Sequence, residues 1–414
     1  MSEKVKSYML AIPKKEEDIY DVAGIINRLT DTPGMELLSH KYEEGLKFVL
    51  KIDDNQYEAE VYPTEIEVPP MYRIQHLFPD VDIEEVENAK VGLSVVIEFG
   101  EDALASYHAQ LKVIHAVLPD VLAVMDVSSE KILSGKWVQL AAVSKIPPAP
   151  RYIYTVQAVS GEEDCVWLHS HGLNRCGLPE MEVLNSKKQT YQNHYNIIET
   201  MANRLLEKKN SLKMGEPFFV ARVAEQVPLV ATLIDWKEAV SFYPDDMLGG
   251  KNDRKEDHNE NTCGLFVYPS YEDAEKRQCA PVSVFDDLLK ENPIYLISTE
   301  ETERMKKLAA ERLPYMLKAA QNKENKILVK IGLDIDEEFK EAQNDYEHIW
   351  FELMEAGEDH LKCKLTQEPY YVKDMHTGSE GIYSFDRITD WLIFTKERRY
   401  TADDVYLLEG FNSY

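Results

Sequence analysis

The feature that most constrains this chain is a repeated change of hydrophobic period. From Asp102 to Leu118, the residues Leu104, Tyr107, Leu111, Ile114 and Leu118 recur at helical spacing, and Pro119 closes the pattern. Apolar runs flank this helix on both sides, Gly92–Phe99 before it and Val121–Asp126 after it, and both read as buried strands. The same alternation occurs earlier. A strand at Tyr8–Ile12 precedes a helix from Glu16 to Leu29, followed by strands at Lys47–Ile52 and Tyr57–Tyr62 around the turn residues Asp53, Asp54 and Asn55. Segments that switch between periods of 3.6 and 2 must pack helices on sheets, so the expected class is α+β.

The pattern continues with a short helix at Lys136–Ser144, a strand at Tyr152–Ala158 and a helix behind Ser186 and Gln189, which stand in capping-box register. That helix carries Tyr191, Tyr195, Ile198, Ala202 and Leu205 on one face and is expected to end near Lys209. Asp245–Asn261 turns polar around Gly249-Gly250 and reads as a mobile loop. A helix at Thr299–Ala320, capped by Ser298 with Glu301 and interrupted by Pro314, leads to a strand at Lys326–Ile331. The acidic run Asp334–Glu347 reads as a solvated helix face. After it come short strands at His348–Glu355, His360–Thr366, Gly381–Phe385 and Trp391–Thr395. The expected organisation is a mixed α/β sandwich-type N-terminal region with a small β-rich, barrel-like C-terminal module. Its divisions are an α+β unit at 1–75, an α+β domain at 76–240, a loop, helix and strand region at 241–335, and the β-rich module at 336–414.

In that last module Trp350, Leu365, the turn Gln367–Pro369, Gly378, and Ile388, Asp390 and Trp391 reproduce a family pattern: a Trp in the first strand, a Leu before an Asn-x-Pro-like turn, a Gly before the third strand, then Ile-x-Asp-Trp. The module therefore resembles the YegJ-like bacterial domain of unknown function over about 65 residues. Gln367 stands where that family favours Asn, and Cys363 where it has a small residue, usually Gly. The stretch Trp167–Glu182 resembles an uncharacterised bacterial domain that accompanies this module. Neither resemblance implies an activity. Asp390 reads as a strand-entry carboxylate that accepts backbone N–H groups, and Trp391 as core. Glu216–Val220 before Asp235-Trp236 echoes Glu368–Val372 before Asp390-Trp391 and leaves a duplication open.

The chemistry concentrates between Cys165 and Glu182. A strand at Cys165–His171 places Cys165, Trp167, His169 and His171 on one face and Val166, Leu168 and Ser170 on the other. If Glu180–Leu184 returns as a hairpin, Glu180 and Glu182 oppose the imidazoles, which is the composition of an acid/base or metal site. His169, His171 and Glu182 supply three ligands, and His194 on the next helix is a candidate fourth. Cys176 beside Arg175 is a candidate activated thiolate. The plainer reading is an ordinary surface pair of about 0 to 1 kcal/mol, so no metal and no cofactor are expected, and a metal-dependent hydrolase is the alternative.

Charge and absent motifs narrow the classes. A formal charge of −28, spread along the chain, repels phosphate backbones and anionic lipid, so neither nucleic acid nor membrane is an expected partner. No G-x-x-x-x-G-K, G-x-G-x-x-G or G-x-S-x-G stretch occurs. No run approaches the ~20 apolar residues of a membrane span, Tyr8–Ile12 is too short for a secretory core, and the five cysteines lack any C-x-x-C pair. The expectation is a cytoplasmic, non-enzymatic binding or accessory protein with an unidentified protein partner.

Overall fold

The computed structural model describes residues 6–75, 78–161, 164–207, 213–224, 227–254, 260–291, 299–340 and 346–410. It has two compact units, Met1–Val143 with Pro147–Ile297, and Ser144–Ile146 with Ser298–Tyr414.

The first unit contains two sheets. One is a seven-stranded antiparallel sheet built from β1 (Lys6–Pro13), β2 (Met35–Tyr42), β3 (Leu46–Ile52), β4 (Asn55–Glu65), β5 (Val91–Glu98), β6 (Val121–Asp126) and β7 (Lys131–Ser134). Their order is β2-β3-β4-β5-β1-β6-β7. Helices α1 (Val22–Asp31), α2 (Ala103–Val117) and α3 (Gly135–Val143) accompany it. Asp102 caps α2 through the Ala105 N–H, at the position the periodicity predicts. The helix expected from Glu16 begins at Val22, because Asp21 takes the Gly24 N–H and leaves Glu16–Ile19 as a 3₁₀ turn.

The second sheet contains β8 (Thr155–Ser160), β9 (Cys165–His171), β10 (Glu180–Lys187), β11 (Phe218–Ala224), β12 (Val227–Asp235), β13 (Thr262–Tyr268) and the short β14 (Ala280–Pro281). Six of them run in the order β11-β12-β13-β10-β9-β8, with β14 beside β13 and a parallel pairing of β10 with β13. Helix α4 (Tyr191–Leu206) starts after Thr190, without a side-chain cap. The expected capping box does not form, because Ser186 ends up inside β10 and bonds His194. Lys209 lies outside the described residues.

In the second unit, α5 (Thr299–Glu311) and α6 (Leu313–Ala320) are separated where Pro314 restarts the helix. Ser298, its expected cap, lies outside the described residues. The sheet holds β15 (Lys326–Asp334), β16 (Tyr346–Ala356), β17 (His360–Leu365), β18 (Glu380–Ser384), β19 (Ile388–Phe394) and β20 (Arg399–Tyr400). It is antiparallel, in the order β18-β17-β16-β15-β19-β20, with its ends unpaired among the described residues. This corrects the barrel-like expectation: the six strands form an open sheet. Trp391 is fully buried and donates its indole N–H to Ala309 O of α5 at 2.9 Å, so a helix supplies part of the cover a barrel would provide.

Long-range pairing sets divisions that periodicity does not register. The first sheet draws strands from both sides of residue 75, the second from both sides of residue 240, and residue 336 separates β15 from its sheet neighbour β16. Within the acidic run, Asp334 ends β15 and Glu337–Phe339 is a 3₁₀ turn, where a helix face was expected; 341–345 lie outside the described residues. The two echoing stretches fold differently. Phe218 opens a strand whereas Tyr370 lies in a loop, and Trp236 opens a short helix whereas Trp391 sits inside β19.

Candidate functional site

β9 has the alternation its residues dictate, with Val166, Leu168 and Ser170 buried and Trp167, His169 and His171 half-buried. β10 returns antiparallel and sets Glu182 directly across from His169. On the other side, β8 places Gln157 opposite His169. The three rings stand in a row, with centroids 4.3 Å apart for Trp167 and His169 and 4.8 Å apart for His169 and His171.

The carboxylate that His171 faces is Glu130, from the turn between β6 and β7. Its Oε1 lies 3.3 Å from His171 Nδ1, and its Oε2 accepts from Gln157 Nε2 at 2.6 Å. Gln157 Oε1 lies 3.2 Å from His169 Nε2. Glu130 and Gln157 carried no signal in the sequence, because Gln157 reaches the cluster through the pairing of β8 with β9 and Glu130 through packing of the first sheet's β6–β7 turn against it.

Glu182 is committed elsewhere. It accepts from Trp167 Nε1 at 3.0 Å and from Arg254 Nη2 at 2.8 Å, and its side chain has no exposure. Burial raises its carboxyl, against the lowering influence of Arg254 and Trp167. The Arg254 guanidinium lies 5.3 Å from the Trp167 ring centroid and 5.2 Å from that of Trp236. Gly249 lies against the same indole at φ +69°, where a Cβ would come within 2.7 Å of the ring. The described part of the expected mobile loop, up to Arg254, is therefore docked on the sheet.

Glu180 serves the turn instead of joining Glu182. It accepts from the Gly172 N–H at 2.8 Å, the Asn174 N–H at 3.0 Å and the Ser170 hydroxyl at 2.6 Å. The turn thus formed pushes Arg175 into the first sheet. There Nη1 and Nη2 grip Asp126 at 2.7 and 2.8 Å, Nη1 also reaches Ser7 Oγ at 3.1 Å, and Nη2 donates to Ile153 O. Neither side chain of the Arg175–Asp126 pair is exposed. Ser129 donates to Asp126 at 2.6 Å, and the Tyr107 and Phe99 rings flank the guanidinium. Cys176 is far from an activated thiolate: burial pushes its thiol up to about 12 despite Arg175 beside it. His194 is also unavailable as a ligand, being held between Ser186 Oγ and Asp286 Oδ1, the latter at 2.7 Å. With Ser186 fully buried, this Ser, His and Asp set reads as a brace between β10 and α4.

The proposed ligand trio is therefore not assembled. Among the described residues no group of three or more His, Cys, Asp or Glu side chains is arranged to hold a metal ion. In the second unit Asp390 accepts the Trp391 N–H at 2.8 Å, Gly378 sits at φ +92° with its N–H on Leu365 O, Pro369 lies in the loop before it, and Trp350 stacks beside Lys330.

One buried cation beside the Arg175 network makes a testable point. Lys131 is fully buried, donates to Tyr154 O at 2.8 Å, and is brought down to about 7 by burial, against the pull of Asp126. The unfolded chain then binds the extra proton between pH 7 and about 10, so this residue makes stability rise with pH, by at most about 1.4 kcal/mol per unit. Urea unfolding of wild type and Lys131→Met at pH 7, 8 and 9 should show the wild type gaining on the variant at each step. A constant difference would contradict this.

Two models for one family of unknown function match the first unit: protein of unknown function (DUF4026) N-terminal over residues 7–148, and protein of unknown function (DUF4026) C-terminal over residues 156–266. A third, uncharacterized protein conserved in bacteria (DUF2314), matches residues 304–410, and so takes in the C-terminal part of α5 and all of β15 along with the strands that carried the C-terminal resemblance. No curated protein and no solved structure matches the chain.

Proposed function

From a chain built of the two DUF4026 domains and a DUF2314 domain, we propose a non-enzymatic binding or accessory protein. The observation that carries this reading is the half-buried ring row Trp167, His169 and His171, whose charged neighbours are already consumed by the fold. Acid/base catalysis needs a group whose proton is free to move to a substrate. Glu182 is locked to Arg254, Glu180 to three donors of its own turn, Arg175 to Asp126, and the Cys176 thiol is held protonated. Planar rings with polar edges suit contact with another protein. A cytoplasmic setting belongs to the same reading and is supported by five unpaired cysteines; no helix among the described residues is long and apolar enough to cross a membrane.

A contact surface can lose its rings without losing the fold. His169→Ala combined with His171→Ala should leave the unfolding free energy within about 1 kcal/mol of wild type, because both rings stand half-buried on the outer side of β9, opposite its packed Val166, Leu168 and Ser170. A loss above about 3 kcal/mol would place the rings in the core and remove the basis of the proposal.

A further inference from the structure

We propose that the C-terminal unit holds a binding site for a small oxyanion, such as a phosphate, sulfate or carboxylate group, in the cavity around His348 and Lys306. The cavity measures about 280 Å³. It is lined by Lys306 of α5, Tyr346 and His348 of β16, Gly332 of β15, and Asp386 and Arg387 before β19, with Thr389 beside them.

The floor is open because Gly332 is the direct cross-strand partner of His348. A Cβ at Gly332 would stand 3.4 Å from His348 Cε1, so any larger side chain would occupy the space beside the imidazole. Thr389 is the extra residue where the β15–β19 register shifts. Its hydroxyl donates to Lys330 O at 3.2 Å and lies 3.2 Å from His348 Nδ1. A hydroxyl has one proton, so Nδ1 must carry the hydrogen of that second bond. A further proton on this ring therefore adds an N–H donor at Nε2.

The charges facing His348 nearly cancel. Lys306 and Lys330 act on it as cations and Glu303 as an anion. Arg387 is turned over Tyr346 and tied to Asp334 at 3.0 Å, while Asp386 is held down by its bond to Ser384 and by Arg387 and Lys306. Lys306, Lys330 and Arg387 stand against Glu303, Asp334, Asp386 and Asp390, the last directly across from Lys330, so a proton on His348 removes the excess of negative charge around the cavity. Burial and the two lysines lower its affinity for a proton; a bound dianion would reverse that, so anion binding tightens as pH falls.

Sulfate is the suitable probe, since its charge is constant across this range. It would be titrated into the whole chain at pH 5.5 and pH 8 while the His348 ring signals are followed, with His348→Gln supplying their assignment. The expected result is saturable binding at pH 5.5, weaker by roughly tenfold at pH 8 and by at least roughly tenfold in Lys306→Glu, with near-UV circular dichroism unchanged. Absence of saturation, equal affinity at both pH values, or binding that survives both Lys306→Glu and His348→Gln would overturn the proposal. If Lys306→Glu perturbs the fold, sulfate binding to His348→Gln alone decides the matter: retention at wild-type strength at pH 5.5 overturns the site and loss supports it.

Discussion

Replacing Arg175 with Ala is expected to cost about 3–5 kcal/mol of unfolding free energy, the range for removing one partner of a fully buried ion pair. The Asp126 carboxylate would remain with no exposure, keeping the Ser129 hydroxyl but losing both guanidinium bonds. Ser7 Oγ and Ile153 O would lose a donor as well. The effect should reach both DUF4026 domains, because Arg175 lies within residues 156–266 and Asp126 within residues 7–148. Arg175→Met combined with Asp126→Leu should recover part of the loss, since an apolar pair removes the desolvation cost along with the attraction. Urea unfolding of the three variants measures this. A loss below about 1 kcal/mol for Arg175→Ala would mean that the two sheets are held together by apolar packing alone.

Arg254→Ala should be comparably damaging, at about 3–5 kcal/mol near neutral pH, because Glu182 is left buried with only the Trp167 N–H. The sign of its pH dependence follows from the same geometry. Without Arg254 the Glu182 carboxyl is raised further by burial, so the folded variant holds its proton to higher pH than the unfolded chain. The variant therefore loses stability as pH rises from about 4.5 toward neutrality, and the gap to wild type widens over that window. Glu182→Gln in the Arg254→Ala background should flatten the profile. A pH-independent gap would show that Arg254 contributes by stacking on Trp167 and Trp236 rather than by compensating the buried charge.

The contrast between these two arginines and the sequence reading shows where local patterns stop being informative. The α2 helix was legible almost to its ends, because Asp102, the 3-4 spacing and Pro119 all act within one or two turns. The β9–β10 hairpin was legible as a conditional pairing that sets two imidazoles against two carboxylates; the structure supplies the register, with Glu182 across from His169. What that hairpin's charges do was not legible. Asp126, Glu130, Gln157 and Arg254 come to the cluster from up to 72 residues away and from both sheets, and single-sequence periodicity contains no term for such pairings. Asp245–Asn261 was read as free because it is polar, yet Arg254 satisfies its polarity by entering an aromatic and carboxylate pocket. The barrel expectation failed for a related reason: Trp391 and its neighbours need cover, and alternation does not say whether a strand or a helix supplies it.

The metal content of the 414-residue protein, purified without a histidine tag and without added metal, separates a binding surface from a metal-dependent hydrolase most directly. With Glu182 bonded to Arg254 and Trp167, and with His171 facing Glu130, His169, His171 and Glu182 do not form a ligand set. Elemental analysis should therefore find no transition metal in stoichiometric amount. A metal-to-protein ratio near one that disappears in both His169→Ala and His171→Ala would contradict the non-enzymatic reading and make the alternative, a metal-dependent hydrolase, the better account.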